Sequence, residues 1–166
     1  IHSKKMRNQY GDLKKMKIFQ FIVLVMIGLG FSIIATDAQA DPIAERKALM
    51  KKTVLPNTKL TGGMAKGAIE FDASKAEAAA RAIAGIPAKF VKLFPEDSAG
   101  DPDSSAKDEI WSDMKGFLKA AEGLTASANA AADAAKAGPD AFKTAFIKMT
   151  ESCKGCHQLY RIKKEE

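Results

Sequence analysis

From Ala106 to Ala137 the chain reads AKDEIWSDMKGFLKAAEGLTASANAAADAAKA, an alanine-, lysine- and leucine-rich run without proline. It lacks the apolar–polar alternation of a strand, and its residue types favour helix. A helix is expected to start near Ser104 or Ser105 and to close at Gly138 and Pro139. From Asp140 a second helical pattern begins, AFKTAFIKMTESCKGCHQLYRIKK. Two long helices joined by so short a connection lie antiparallel, which constrains the chain toward a helical bundle.

The preceding segment supplies two more helical patterns. The first opens at Pro42, a good first-turn residue behind Asp41 as N-cap, and runs through ERKALMKKTV toward Lys66 and Gly67. Pro56 lies inside it and is expected to kink or break it. The second is FDASKAEAAARAIAGIPAKFVKLFP, with Asp72 or Ser74 as cap and Pro95 as stop; Gly85 and Pro87 weaken its second half. EDSAGDPDSS then forms a polar loop. The expected fold class is all-α, an antiparallel up-down four-helix bundle over residues 41–166.

Residues 1–40 read differently. Lys14, Lys15 and Lys17 precede an uncharged apolar run from Ile18 to Ala35, and Ala38 and Ala40 flank Gln39 in an A-x-A pattern. Residues 16–40 are expected to be a secretory signal peptide cleaved before Asp41, with a membrane anchor as the alternative if the segment stays uncleaved. Residues 1–15 read as an upstream extension without function, Met16 or Met6 being the expected start. The whole chain carries 26 basic and 20 acidic side chains, net +6. Setting aside the six basic and two acidic residues of the first forty leaves 20 against 18, net +2. Such balance gives no nucleic-acid footprint.

The chain's only two cysteines, Cys153 and Cys156, are followed at once by His157. C-x-x-C-H is the attachment signature of c-type haem. Two thiols three residues apart on a helix can add to the two vinyl groups of one porphyrin, and the adjacent imidazole can take the iron as proximal axial ligand. Alternatives are weaker. A thioredoxin-like pair belongs near a βαβ pattern, a structural zinc needs four ligands, and a disulfide inside one helical turn constrains almost nothing. Phe142, Phe146, Met149, Cys153, Cys156 and Tyr160 recur at three- and four-residue steps, an apolar stripe facing the bundle. Alone it would read as core; with the motif embedded in it, it reads as the proximal wall of a haem pocket.

ERKALM in the first helix, the KLFPEDSAG turn, EIWSDMKGF in the third and CKGCHQLYRIKK at the end together resemble the class II cytochromes c, which include cytochrome c prime. The resemblance covers essentially all of residues 41–166 and implies one covalent haem c held by Cys153 and Cys156, with His157 on the iron. It implies that Arg46 contacts a haem propionate and that Arg161, four residues after His157, lies beside the haem. A solvated helix face is the alternative for both. The family's distal position, four residues after Arg46, falls on Met50. Methionine there either coordinates iron, giving a low-spin electron carrier, or packs beside an open high-spin site for nitric oxide or carbon monoxide. His157 is the only histidine after residue 40, so bis-histidine ligation within one chain is excluded. Met149, two turns before His157 on the same helix, is badly placed for the opposite haem face; Met64 lies about 20 Å along the first helix from Met50, so both cannot serve one site, and Met114 has no support from the family pattern.

The expected function is periplasmic electron transfer by a non-enzyme, with methionine–histidine ligation through Met50; gas binding is the alternative. Lys154, Lys163 and Lys164 with Arg161 could steer an acidic redox partner protein of the periplasm, or simply solubilise a helix end. Small residues such as Ala78, Ala79, Ala80 and Ala82 would permit a homodimer, but equally suit the bundle's own interior.

Overall fold

Asp41 starts the first rod of the bundle. Its carboxylate accepts from the Ile43 N–H at 2.9 Å, with Pro42 in the first turn, where a missing donor is tolerated. The computed structural model describes residues 41–163. The expected extension and signal segment lie outside the described residues, as does Lys164. Among the described residues no helix is long and apolar enough to cross a membrane.

The first rod comprises α1 (Pro42–Ala48), a π-helical stretch (Leu49–Val54) and α2 (Leu55–Ala65). Pro56 does not break it. In a continuous α-helix the proline ring would collide with the carbonyl four residues back. The chain widens into a π turn instead, with the Leu55 N–H donating to the Met50 carbonyl, and α-helix resumes with Pro56 in its first turn. Gly67, at φ +71°, turns the chain out of the rod.

The second rod is shorter than its sequence pattern. Asp72, rather than Ser74, caps α3 (Ala73–Ala84), accepting from the Lys75 N–H at 2.9 Å. Gly85 ends it, and the remainder is a single turn, α4 (Pro87–Phe90), followed by a 3-10 turn to Leu93. The third rod does not start at Ser104 or Ser105. A four-residue helix, α5 (Glu109–Ser112), stops at Asp113, whose non-helical backbone (φ −128°, ψ 52°) restarts the chain as α6 (Met114–Ala135). Asp113 caps α6 by accepting from the Gly116 N–H at 3.0 Å. Gly138, at φ +104°, makes the tight turn into α7 (Pro139–Tyr160). α7 ends at Tyr160, short of the sequence pattern, because Arg161 leaves the helix to make an antiparallel bridge with Ala106.

α6 packs along α7 on one side and α3 on the other, and α2 closes the bundle against α3 and α7. The expected antiparallel up-down four-helix bundle is therefore what the chain adopts.

Its interior is two clusters. The first joins Ala76, Ala80, Ile83 and Ala84 of α3 to Ala128, Ala131, Ala132 and Ala135 of α6, with Met64, Phe142, Phe146 and Met149. Alanine on both facing surfaces lets α3 and α6 approach closely. The second gathers Phe94, Ile110, Phe117 and Tyr160 at the opposite end of α7, with Phe90, Trp111 and Cys156 against them. Its rings meet edge to face, Phe94 with Phe117 at 4.9 Å and Phe117 with Tyr160 at 5.3 Å between centroids.

Phe142 is fully buried and touches the rings of both Phe71 and Phe146. Truncation to alanine opens a cavity in the first cluster, and F142A is expected to lower unfolding free energy by about 3–5 kcal/mol. Urea denaturation followed by circular dichroism measures it.

Candidate functional site

α7 carries the motif in its last two turns. Phe142, Phe146, Met149 and Tyr160 of the expected stripe are buried, while Cys153 and Cys156 are half-buried. Burial pushes both thiols above the ordinary cysteine range, the neighbouring Cys153 adding to the effect at Cys156. The two thiols are not joined to each other. His157 lies next on the helix at its more exposed side. Partial burial of its ring, and then the charge of Arg161, hold the imidazole below its ordinary value. That favours the neutral form at pH 7, the form able to ligate a metal.

Arg46 is not on a solvated face. It is only 6% exposed, and its guanidinium lies 4.2 Å from the centroid of Phe94. Nε donates to the Pro42 carbonyl at 3.3 Å and Nη1 to Ser104 Oγ at 3.4 Å. Nη2 is buried with no partner. Burial lowers the guanidinium's proton affinity, while Asp101 and Asp41 oppose that shift. A buried charged donor with nothing to bond is costly unless an anionic group completes it.

Arg161 is the opposite case. It is exposed, and its backbone N–H donates to the His157 carbonyl at 3.1 Å. Its side chain reads as solvated, as do those of Lys154 and Lys163, both exposed.

The methionines sort cleanly. Met64 and Met149 are buried in the first cluster, and Met114 packs against the second. Met50 is half-buried in the π-helical stretch and belongs to neither cluster. Among the described residues its thioether is the one not committed to core packing.

Sequence reasoning missed three contributors. Phe94 and Ser104 build the surroundings of Arg46 from a distant loop, and no local pattern announces them. Lys107 reaches the end of α7: its N–H donates to the Tyr160 carbonyl at 3.1 Å and its Nζ to the Gln158 carbonyl at 3.0 Å. A cation at a helix C-terminus is favourable, but the pairing is visible only in the fold.

Comparison with known proteins identifies the family. A family model described as Cytochrome C' matches residues 41–161. The chain belongs to the cytochrome c′ family. The cytochrome c′ of Rhodopseudomonas palustris is 35% identical over 150 residues, spanning 90% of this chain and 99% of that one. Its solved structure superposes with a TM-score of 0.71 at 35% identity, covering 76% and 100% of the two chains. Cytochrome c-556 of Agrobacterium tumefaciens (strain apple 185) is 32% identical over 121 residues, 72% of this chain and 94% of that one. A variant of cytochrome c prime from Alcaligenes xylosoxidans, solved as its nitric oxide complex, matches with a TM-score of 0.67 and 26% identity, covering 75% and 95%.

The cofactor of a cytochrome c′ is one covalently bound haem c. The residues present fit it. The half-buried thiol pair, the neutral imidazole and the orphaned Arg46 donor match the group's vinyls, iron and carboxylates in kind.

Raised thiol pKa values leave little thiolate at neutral pH. In the haem-free chain, iodoacetamide should alkylate Cys153 and Cys156 more slowly at pH 7 than a free cysteine peptide. The rate should keep climbing at pH values where the peptide has levelled off. Mass spectrometry across a pH series measures both.

Proposed function

We propose that this chain is a mono-haem c-type cytochrome of the bacterial periplasm whose distal haem face binds a diatomic gas, nitric oxide or carbon monoxide. The observation that carries the reading is the family match over the whole bundle, joined to relatives that are named cytochrome c′ and include a solved nitric oxide complex. When bound, the haem would supply an iron that cycles between ferrous and ferric and, when ferrous, can accept a gas.

The chain's own residues do the rest. Cys153 and Cys156 would hold the haem through two thioether bonds, and their separation on α7 keeps both half-buried on the inward stripe. His157 would ligate the iron through its ring, and the lowered proton affinity of the imidazole favours the neutral form that can do so. Arg46, pinned by Phe94 and Ser104, offers its unpaired Nη2 to a haem carboxylate, which replaces a buried unsatisfied donor with a charge-assisted bond. The aromatic cluster of Phe94, Phe117 and Tyr160 packs against Cys156 and gives that side of the site an apolar wall, which suits a neutral gas. Met50 lines the distal side and packs without coordinating.

Electron transfer with Met50 as the sixth ligand is the second reading. Cytochrome c-556 among the relatives and the uncommitted Met50 thioether favour it. A sulfur ligand would raise the reduction potential and close the site to gas. A second copy of the chain is the proposed partner, since one solved relative is described by its ligand-controlled dimer dissociation.

Visible spectra of the haem-loaded protein with carbon monoxide titration separate the readings. Gas binding predicts a high-spin ferric spectrum unchanged by M50A, ready carbon monoxide uptake by the ferrous protein, and several-fold tighter uptake in M50A as the distal side is cleared. A low-spin ferric spectrum with a weak far-red sulfur band, lost in M50A, would establish the electron carrier instead.

A further inference from the structure

Tyr160 is the last residue of α7, three positions after His157 and four after Cys156. All three therefore share the helix's final turn. Final turns fray, because their carbonyls have no helical partner. This one does not end in solvent. The Tyr160 ring is only 6% exposed, and its hydroxyl donates to Asp113 Oδ2 at 2.9 Å. The other oxygen of the same carboxylate caps α6 through the Gly116 N–H. One aspartate thus ties the start of α6 to the end of α7, using both oxygens, and an ionised acceptor makes the stronger hydrogen bond.

Gly116 shows that the contact demands space. It lies in the first turn of α6, where its φ is not positive and any residue could serve the backbone. Glycine is a poor helix former. Yet a Cβ at this position would overlap Asp113 Oδ2 and stand 2.6 Å from the Tyr160 hydroxyl. The backbone break at Asp113, the glycine at 116 and the buried hydroxyl at 160 are explained together by one contact. Lys107 holds the carbonyls of the same turn from the other side.

We infer that the Tyr160–Asp113 hydrogen bond, in the space left by Gly116, fixes the last turn of α7 and so positions His157. Tyr160 and Asp113 are positioning residues that act on the axial ligand through the helix backbone. The inference rests on His157 being that ligand.

The test uses haem-loaded protein and two variants that reach the contact from different sides. Y160F keeps the ring against Phe117 and removes only the hydroxyl. G116A leaves the chemistry of both partners unaltered, improves local helix propensity and pushes the two groups apart. Two readouts apply: hydrogen exchange at the Arg161 amide, which bonds the His157 carbonyl, and the iron–histidine stretch of the ferrous protein by resonance Raman. Both variants should exchange at least tenfold faster at Arg161 and shift the stretch to lower frequency. Faster exchange with an unmoved stretch in both would leave the contact merely structural and overturn the inference. Unchanged exchange would overturn it as well. If Y160F fails to assemble, G116A decides alone. H157A is the control: survival of the wild-type stretch there would show that His157 is not the ligand and overturn both readings, whereas its loss, beside unmoved Y160F and G116A, would defeat the positioning role only.

Discussion

The close approach of α3 to α6 is the contact on which the rest of the molecule depends. Ala76, Ala80 and Ala84 meet Ala128, Ala131, Ala132 and Ala135 with almost no exposed surface. Small side chains bring the two helix axes near one another, and the phenylalanines and methionines of α7 and α2 fill the remaining interior at that end. A bundle drawn tight at one end need not be tight at the other. Toward the end of α7 the packing changes from alanine to aromatic rings, and the cysteines are only half-buried. Arg81 adds a polar fastening outside the seam, reaching Asn129 and Asp133 across the groove. Exposed pairs of this kind contribute little beside the buried alanine surface.

The loop between the second and third rods holds the two sides of the site in one framework. Phe94 and Ser104 fix Arg46, which belongs to the first rod. Ser105, Ala106 and Lys107 then meet the end of α7, with the Ile162 N–H donating to the Ser105 carbonyl at 2.8 Å. The segment that carries Arg46 and the segment that carries the thiols and imidazole are thus referred to the same stretch, residues 94–107. A polar loop, the least promising stretch by composition, is a structural member of the site.

Much of this was legible in the sequence. Long alanine-rich runs, the Gly138–Pro139 connection and C-x-x-C-H are local signals, each sufficient for its own inference. What could not be read depended on distant partners. Ser104 and Ser105 look like better helix starts than Asp113, yet the Tyr160 hydroxyl and the Gly116 N–H draw that carboxylate to them, and the helix begins there. Arg46 follows a pattern typical of a solvated helix face; only Phe94, 48 positions further on, shows why it is buried. Pro56 was legible only in part. Its ring and missing donor announce a kink or a break in the helix, and the π-helical remedy the chain adopts leaves no mark in residue type.

That remedy has a consequence for comparing sequences. A π turn accommodates one residue more than an α-helix would over the same rise. The face on which a side chain lies is therefore offset by one position between the two halves of the first rod. A relative whose first helix is unbroken α throughout aligns with this chain in three dimensions only if a one-residue gap is opened between Met50 and Leu55. Counting forward from Arg46 reaches the equivalent of Met50 in such a relative; counting backward from Thr61 or Met64 arrives one residue away. Alignments anchored at opposite ends of this rod therefore differ by one residue at Met50.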